Sequence, residues 1–130
     1  MSQAPATLSS HTNELVERAD FFRLDATRKL DPSRRTALGQ FLTPAPVARL
    51  MASMFRKRRE HIYLLDAGAG VGVLTAAFIE KMSRWKNKPA SVSVTAYEID
   101  PLLTEYLTET LALCRRECEK AGIKFDADRI

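Results

Sequence analysis

The chain has 130 residues, of which 45% are hydrophobic and 28% are charged. This composition is typical of one globular domain and argues against disorder along the whole length. No apolar run approaches the roughly 18 to 20 residues that a membrane span needs, and the polar amino terminus lacks the basic segment and apolar core of a signal peptide. We therefore expect a cytoplasmic protein without a membrane partner.

The net charge of +4 is unevenly distributed along the chain. Residues 1–60 hold 11 Lys and Arg against 6 Asp and Glu, whereas residues 61–130 hold 9 against 10. Phosphate backbones attract basic surfaces through counterion release, which permits a nucleic-acid partner. The alternative is that basic runs such as Arg56–Arg59 are solvated helix ends.

The two cysteines, Cys114 and Cys118, are four residues apart in a helical pattern. Neither His11 nor His61 lies near them in sequence to complete a zinc site. We expect free thiols in a reducing compartment and no bound metal.

The first part of the chain is predicted to be a flexible terminus, residues 1–10, followed by helices within residues 11–60. Apolar residues recur at intervals of three and four over about residues 12–30, which indicates one amphipathic helix. Pro32 is expected to end this helix.

A second helix is predicted after Thr43, which is a candidate N-cap residue. Pro44 and Pro46 suit its first turn, where backbone amides have no partner within the helix. The helix is expected to end in the basic run before His61. Its apolar face is predicted from five residues at helical spacing: Val47, Leu50, Met51, Met54 and Phe55.

The second part of the chain, residues 61–130, begins with the apolar run Ile62–Leu65, which is typical of a buried parallel strand. The strand ends at Asp66 and a cluster of glycines. A helix is predicted over about residues 72–82, and residues 83–90 are predicted to be an exposed loop.

A second strand is predicted from residue 92 to Glu98, and a long helix after Pro101 that Gly122 ends. Five residues at helical spacing mark this helix: Leu103, Leu107, Leu111, Cys114 and Cys118. A third strand is predicted to begin at residues 123–125. The order of elements predicts an α/β protein with a partial Rossmann-like fold, in which a parallel sheet of about three strands follows amino-terminal helices. Such a sheet leaves one long open edge, so we expect a fragment or a partner that supplies the missing side.

The segment Asp66–Gly72, with the pattern Asp-x-Gly-x-Gly-x-Gly, lies between a predicted strand and a predicted helix. Glycines allow a tight turn and close approach of the backbone to a ligand, and the following helix offers unpaired amides. The pattern indicates a nucleotide-type ligand loop. A tight turn with a purely structural role is the alternative.

Two carboxylates, Asp66 and Glu98, end successive predicted strands and should face the same crevice, because ligands lie outside the carboxyl ends of parallel strands. Glu98 could accept paired hydrogen bonds from a ribose diol, and Asp66 suits the cationic methionine end of S-adenosylmethionine. The alternative for Glu98 is that it caps the next helix together with Asp100. A dinucleotide cofactor is less suitable, because its loop has the spacing Gly-x-Gly-x-x-Gly.

Three segments together resemble the motifs of bacterial DNA adenine-N6 methyltransferases of the restriction-modification type: Gly39–Pro44, Asp66–Gly72 and Tyr97–Pro101. Their order resembles the gamma-type arrangement. The resemblance implies that S-adenosylmethionine is the cofactor, that double-stranded DNA is the substrate, and that residues 61–130 are the cofactor-binding half of a methyltransferase domain. It also implies a set of cofactor contacts: Thr43, Asp66, Gly68, Gly70 and Glu98.

The chain departs from this family in one respect, because it has no Asn-Pro-Pro-Tyr type of tetrapeptide and no Pro-Pro pair at all. In the family that motif holds the adenine amino group, and its aromatic residue stacks on the flipped base. The sequence ends at Asp126–Ile130, near where the family's adenine-binding acidic motif would begin. We therefore name no catalytic residue and expect a truncated chain that is inactive alone.

Two other function classes stay open at this point. The chain could be a non-catalytic or split module that binds S-adenosylmethionine or only completes a partner. It could also belong to a methyltransferase that acts on RNA, protein or a small molecule. The segment Gly39–Pro44 favours the DNA enzymes.

Overall fold

The computed structural model describes residues 14–33, 42–56 and 59–130. The predicted flexible terminus and residues 39–41 of the first motif lie outside the described residues. Seven elements follow one another in the described part of the chain: α1 (Glu14–Lys29), α2 (Ala45–Ser53), β1 (His61–Ala67), α3 (Val73–Met82), β2 (Ser91–Tyr97), α4 (Pro101–Lys120) and β3 (Lys124–Arg129). This is the predicted order of helices and strands.

The three strands form one parallel sheet in the order β1-β2-β3. Ile62 pairs with Val92, which in turn pairs with Phe125, so side chains at these positions share one face. The α3 helix connects β1 to β2, and α4 connects β2 to β3. The α/β class and the three-stranded parallel sheet are therefore confirmed.

The core lies between one face of the sheet and the helices. Val92, Val94 and Ala96 of β2 are buried on this face. Most of α3 is buried as well, since other helices pack on its outer side. The predicted long helix is confirmed as α4, and the five residues that marked it are all buried: Leu103, Leu107, Leu111, Cys114 and Cys118. None of the helices in the described residues is long and apolar enough to cross a membrane.

The α1 helix is amphipathic as predicted and ends at Lys29, three residues before Pro32. The hydroxyl of Tyr106 donates a 2.5 Å hydrogen bond to Asp25, and the ring of Tyr106 packs against Phe22. At the other end of α1, the amide of Val16 donates to Glu80. These contacts join α1 to α4 and α3.

The prediction that β1 is a buried strand was wrong for one of its faces. Tyr63 is 83% exposed and Leu65 is 64% exposed, whereas Ile62 and Leu64 on the opposite face are half-buried. The physical reason is that the described helices cover one face of the sheet and leave the other face open. In addition, β1 is an edge strand, because β2 is its one neighbour among the described strands. The apolar run therefore has one covered side and one bare side.

The predicted apolar face of α2 was also wrong. Its five residues are all exposed: Val47, Leu50, Met51, Met54 and Phe55. The buried face consists of Ala45, Ala48 and Ala52, which pack against α3. Small side chains let two helices approach closely, so the alanines rather than the larger residues face the core. The helix ends at Ser53, before the basic run rather than within it.

The loop between α3 and β2 was predicted to be exposed, but three of its residues are buried: Ser83, Trp85 and Pro89. The ring of Trp85 meets that of Phe78 edge to face, with 6.2 Å between their centroids. Phe55 packs against the same ring at 5.0 Å. A loop that contributes aromatic surface to the core is fixed by that contact, whereas Lys86, Asn87 and Lys88 beside it stay exposed.

Candidate functional site

The glycine-rich loop follows β1 at the carboxyl edge of the sheet. Gly72 is the N-cap residue of α3 and has a φ of 93°. A Cβ at this position would lie 2.9 Å from Thr110 Cγ2 and 3.0 Å from Leu107 Cδ1 of α4. Glycine is therefore needed here both for the left-handed backbone and for the close approach of α4.

Gly68 is needed for a different reason. Its φ is 68°, and a Cβ built on it would meet no atom within 4 Å. The position faces open space, so a ligand can approach the backbone there without a side chain in the way. The predicted ligand loop thus has one glycine that faces the helix layer and one that faces outward.

Asp66 lies next to this loop and is buried, with 6% of its surface exposed. The hydroxyl of Thr75 in α3 donates a 2.6 Å hydrogen bond to Asp66 Oδ2. Burial raises the pKa of Asp66, the hydrogen bond from Thr75 opposes that rise, and the charge of Glu98 adds to it. The carboxylate is held in one orientation by a neighbour that can also stabilise its charge.

Glu98 follows the end of β2 and is half-buried. Its Oε1 accepts a 2.8 Å hydrogen bond from the amide of Gly70, and its Oε2 accepts one of 3.0 Å from the amide of Asp100. Asp100 itself caps α4, because its side chain accepts from Leu102 N and Leu103 N. Capping of α4 is thus performed by Asp100, and Glu98 ties the end of β2 to the glycine-rich loop.

Four of the five predicted cofactor contacts line one cleft of about 240 Å³ at this edge: Thr43, Asp66, Gly68 and Gly70. Glu98 does not line the cleft, but its hydrogen bond to Gly70 places it directly beside the lining. A carboxylate oxygen can accept more than one hydrogen bond, so Glu98 can still bind a hydroxyl group.

Thr43 does not cap α2, which corrects that prediction. The N-cap position is occupied by Pro44, and no side chain caps the helix there. The first amide of the helix, Ala45 N, donates instead to Asp20 Oδ1 of α1 at 3.1 Å. Pro46, but not Pro44, lies in the first turn, as the structure has Ala45 as its first residue. Thr43 thus lines the cleft without capping the helix.

Two residues that were not predicted as cofactor contacts also contribute to the cleft. Met51 of α2 and Leu74 of α3 line it. Met51 could have been predicted as a cleft residue from its exposed position in α2, on the same side as the other large apolar residues, Val47 and Leu50. The contact of Thr75 with Asp66 was harder to predict. The one indication in the sequence is that Thr75 is a polar residue in a largely apolar helix, one turn after the glycine loop.

Cys114, Cys118 and His61 do not line the cleft. Cys114 and Cys118 are free and buried, and burial raises the pKa of Cys114 well above its ordinary value and that of Cys118 to about 12. His61 exchanges a 2.7 Å hydrogen bond with Ser91, while His11 lies outside the described residues. In the described residues no group of three His, Cys, Asp or Glu side chains could hold a metal ion.

No protein-family model matches the chain. It is 39% identical over 115 residues to the Type II methyltransferase M.PstI of Providencia stuartii, which covers 88% of this chain and 22% of that protein. It is 37% identical over 101 residues to the Type II methyltransferase M.BsuBI of Bacillus subtilis, covering 77% and 19%. A ribosomal RNA small subunit methyltransferase A of Bifidobacterium adolescentis is 28% identical over 106 residues, covering 81% and 31%.

The chain spans about a fifth of the length of the two Type II methyltransferases. Within that span the similarity extends over most of the present sequence. The resemblance that the three motifs predicted is therefore confirmed, and the chain is a homologue of Type II methyltransferases.

Proposed function

We propose that the chain forms the S-adenosylmethionine-binding part of a DNA methyltransferase that modifies the N6 amino group of adenine. The observation that carries this proposal is the hydrogen bond from Gly70 N to Glu98, which joins the glycine-rich loop to a carboxylate at the carboxyl edge of the sheet. Ligands of open parallel sheets bind at this edge. The similarity to Type II methyltransferases supports the same function.

The residues of the crevice fit the chemistry of S-adenosylmethionine, which has a cationic methionine end, a ribose diol and a methyl group on sulfur. We assign Asp66 to the cationic end, directly or through water, and Glu98 to the diol. Thr43, Gly68 and Gly70 complete the contacts along the cleft. The open space at Gly68 supports this fit, because the cofactor can lie against the backbone there. When bound, the cofactor supplies an electrophilic methyl group, and the chain contributes binding and orientation.

Adenine N6 as the acceptor rests on the three motifs and their order. The chain contains no Asn-Pro-Pro-Tyr tetrapeptide. We therefore propose that the catalytic groups and DNA recognition come from other polypeptide sequence, that double-stranded DNA is the partner of the complete enzyme, and that this chain is inactive alone. The expected cytoplasmic location stays a prediction.

The bare side of the sheet supports a further part of this proposal. Tyr63, Leu65 and Tyr97 project from it and are exposed. A parallel strand with large apolar side chains is ordinarily covered on both faces. We propose that a downstream segment or a partner chain pairs with the open edge of β1 and covers this face.

Methylation of RNA is a second candidate function. It is favoured by the similarity to a ribosomal RNA small subunit methyltransferase, although the identity of 28% is lower than the 39% found for a Type II methyltransferase. The same crevice would bind the same cofactor in both cases, so the two functions differ in the acceptor alone. Methyl transfer by the complete enzyme to matched DNA and RNA duplexes distinguishes them.

The decisive experiment for the cofactor site is calorimetric titration of the 130-residue chain with S-adenosylmethionine, with NAD as the control ligand. We expect saturable binding of S-adenosylmethionine, none of NAD, and loss of binding in Glu98→Ala. Circular dichroism checks that the variant is folded. A folded wild-type chain that binds neither ligand contradicts the proposal of a self-sufficient cofactor site.

A further inference from the structure

A second cleft, of about 360 Å³, lies between α2 and α3 and shares no lining residue with the glycine-rich crevice. Three cationic side chains line it: Arg49, Lys81 and Arg84. One carboxylate, Glu80, opposes them, and the indole of Trp85 forms part of the wall. The lining therefore has an excess of positive charge.

Glu80 holds two of these cations in place. It is 5% exposed, and its Oε1 lies 3.8 Å from Arg49 Nε and 3.8 Å from Arg84 Nη1. At that distance the contacts are ion pairs without a hydrogen bond. The charge of the carboxylate thus attracts both guanidinium groups. It accepts no hydrogen bond from these two nitrogen atoms, so their N–H groups can donate to a ligand.

One donor of Arg49 lacks an acceptor. Its Nη2 atom is buried, and no group among the described residues accepts a hydrogen bond from it. Buried donors in folded proteins nearly always have an acceptor, because an unsatisfied one costs free energy. An anionic ligand in the cleft would supply this acceptor beside two further cations.

Exposed cations continue from the cleft across the end of the sheet where the strands begin. Phe55 and Trp85 both pack on Phe78, which brings the end of α2 next to the loop after α3. The carbonyl of Glu60 accepts from Ala90 N, so the chain before β1 also meets this loop. Six exposed residues form this basic end surface: Arg56, Arg59, Lys81, Arg84, Lys86 and Lys88. In the described parts of residues 53–60 and 81–90, Glu60 is the one carboxylate.

We propose that the cleft between α2 and α3, together with the basic end surface, binds phosphate groups of a nucleic-acid backbone. A single small phosphate would occupy the cleft alone, whereas the cations extend well beyond it, which favours a polymer of phosphates. The strands begin at this surface and end at the glycine-rich crevice. The site is therefore a second contact with nucleic acid, remote from the cofactor.

This inference deepens the proposed function and rests on it for the identity of the polyanion. Its geometry is independent of the cofactor crevice. Backbone contacts of this kind add affinity and orientation without sequence preference, since every nucleotide offers the same phosphate. The expected partner is duplex DNA, and duplex RNA offers the same chemistry.

Trp85 gives a direct readout of the cleft, because it is the sole tryptophan of the chain and lines the cleft wall. We expect titration of the 130-residue chain with duplex DNA to change the tryptophan fluorescence saturably. Parallel titrations use duplex RNA, inorganic phosphate and polyglutamate. A response to DNA and RNA duplexes at far lower concentrations than to inorganic phosphate supports a backbone site.

A matched pair of double variants tests where the polymer binds. Lys81→Gln with Arg84→Gln removes one lysine and one arginine at the end of α3. Arg28→Gln with Lys29→Gln removes the same pair of charges from the last turn of α1, where Lys29 lies over the ring of Tyr106 and neither residue lines the cleft. We expect the first variant to weaken duplex binding about 60-fold at 0.1 M salt and to reduce the salt slope by about 2, since each phosphate contact contributes a slope of about 0.9. The second should change neither quantity appreciably.

A third variant shows whether a loss of binding could come from misfolding of α3. Lys86 and Lys88 are exposed residues of the loop between α3 and β2, so Lys86→Gln with Lys88→Gln leaves the helices untouched and should also reduce the salt slope. Equal weakening in all three variants, or duplex binding without a change in tryptophan fluorescence, overturns the inference. Polyglutamate binding as tight as DNA binding at equal charge overturns the nucleic-acid assignment.

The inference and the proposed function can fail separately. S-Adenosylmethionine titration of Lys81→Gln with Arg84→Gln should match the wild type, because neither residue lines the crevice. A chain that binds duplexes but no cofactor refutes the proposed cofactor site and leaves the phosphate site standing. A chain that binds cofactor but no duplex refutes the phosphate site alone.

Discussion

The amide of Gly70 donates a 2.8 Å hydrogen bond to Oε1 of Glu98, 28 residues later in the chain. This contact fixes the loop after β1 against the end of β2, so the two strands present their carboxyl ends as one unit. The second oxygen of Glu98 accepts from Asp100 N, the cap residue of α4. The carboxylate therefore determines the shape of the crevice as well as its charge.

Replacement of Glu98 by glutamine should separate these two roles. Glu98→Gln keeps one carbonyl oxygen for an amide donor but loses the negative charge. We expect S-adenosylmethionine affinity to fall by at least roughly tenfold, because a hydrogen bond to a charged group contributes about 1.5 to 3 kcal/mol. Calorimetry measures this loss, and thermal unfolding should show a folded protein. Glu105→Gln, on the exposed side of α4, is the matched control and should bind as the wild type.

The two glycines at either side of the loop should respond differently to alanine. Gly68→Ala should cost about 1 kcal/mol of unfolding free energy, from the left-handed backbone alone, and should weaken cofactor binding. Gly72→Ala should cost about 3 kcal/mol, because its Cβ also collides with Thr110 and Leu107. Urea unfolding measures both. Equal losses of stability in the two variants would contradict this account.

A double variant checks the collision at Gly72 directly. Thr110→Ser removes the methyl group that would lie 2.9 Å from the new Cβ. We expect the stability losses of Gly72→Ala and Thr110→Ser to be less than additive when the two changes are combined, since the second relieves the first. Strict additivity in urea unfolding would mean that the strain at Gly72 does not arise from the methyl group of Thr110.

The ionised side chain of Asp66 should lower the free energy of unfolding at neutral pH, because burial raises the pKa of Asp66 above the ordinary value of 3.8. A carboxyl group with a raised pKa in the folded state binds its proton more tightly there, so stability falls as pH rises from about 3.8 through the raised value. Asp66→Asn should therefore be more stable than the wild type at pH 7 and equal to it near pH 3, while binding S-adenosylmethionine less tightly. Thermal unfolding over this pH range and calorimetry test both statements.

Asp25 should have the opposite pH dependence. The hydrogen bond from Tyr106 lowers its pKa to about 2, with Arg28 and then Lys29 contributing in the same direction. Its contribution to stability is present above pH 3.8 and is lost as pH falls toward 2. In Asp25→Asn the melting temperature should decline less over this interval than in the wild type. Tyr106→Phe removes the largest cause but leaves Arg28 and Lys29, so it should change the pH dependence in the same direction as Asp25→Asn and by a smaller amount.

The bare side of β1 offers a test of the proposed covering segment. Tyr63→Lys and Leu65→Lys should each change the unfolding free energy of this chain by less than about 0.5 kcal/mol, because both side chains are largely exposed. They should reduce self-association in light scattering. Val94→Lys, in the buried face of β2, is the contrasting control and should unfold the chain. A large loss of stability in Leu65→Lys would mean that this face is already covered.

The sequence predicted the order of elements and that Asp66 and Glu98 lie at the ends of neighbouring strands, because periodicity, glycines and strand-end carboxylates are local signals. It did not predict which side of α2 faces the core. The larger residues Leu50 and Met54 indicated one face, but the close approach of α3 selects the alanines. Burial depends on what packs against an element, and a hydrophobic pattern cannot specify the partner.

The same limit applies to Thr43 and to β1. A threonine before a proline is an ordinary cap signal, yet the amide of Ala45 is satisfied by Asp20 of α1, a contact between residues far apart in sequence. The apolar run of β1 indicated burial on both faces, which needs elements that the described residues do not contain. The glycine-rich loop does lie between β1 and α3 as predicted, because its glycines have a local backbone requirement, and its role in ligand binding stays a prediction.

The order of the strands in the sheet also has a consequence for how the chain assembles. Each strand pairs with the one that immediately precedes it in the sequence. Among the described strands, neither β2 nor β3 has to insert between two strands that are already joined, so these three can pair in the order of their synthesis. Asp66 lies in β1, and the glycine loop and Glu98 directly follow β1 and β2, so these parts of the crevice can take shape before β3 leaves the ribosome.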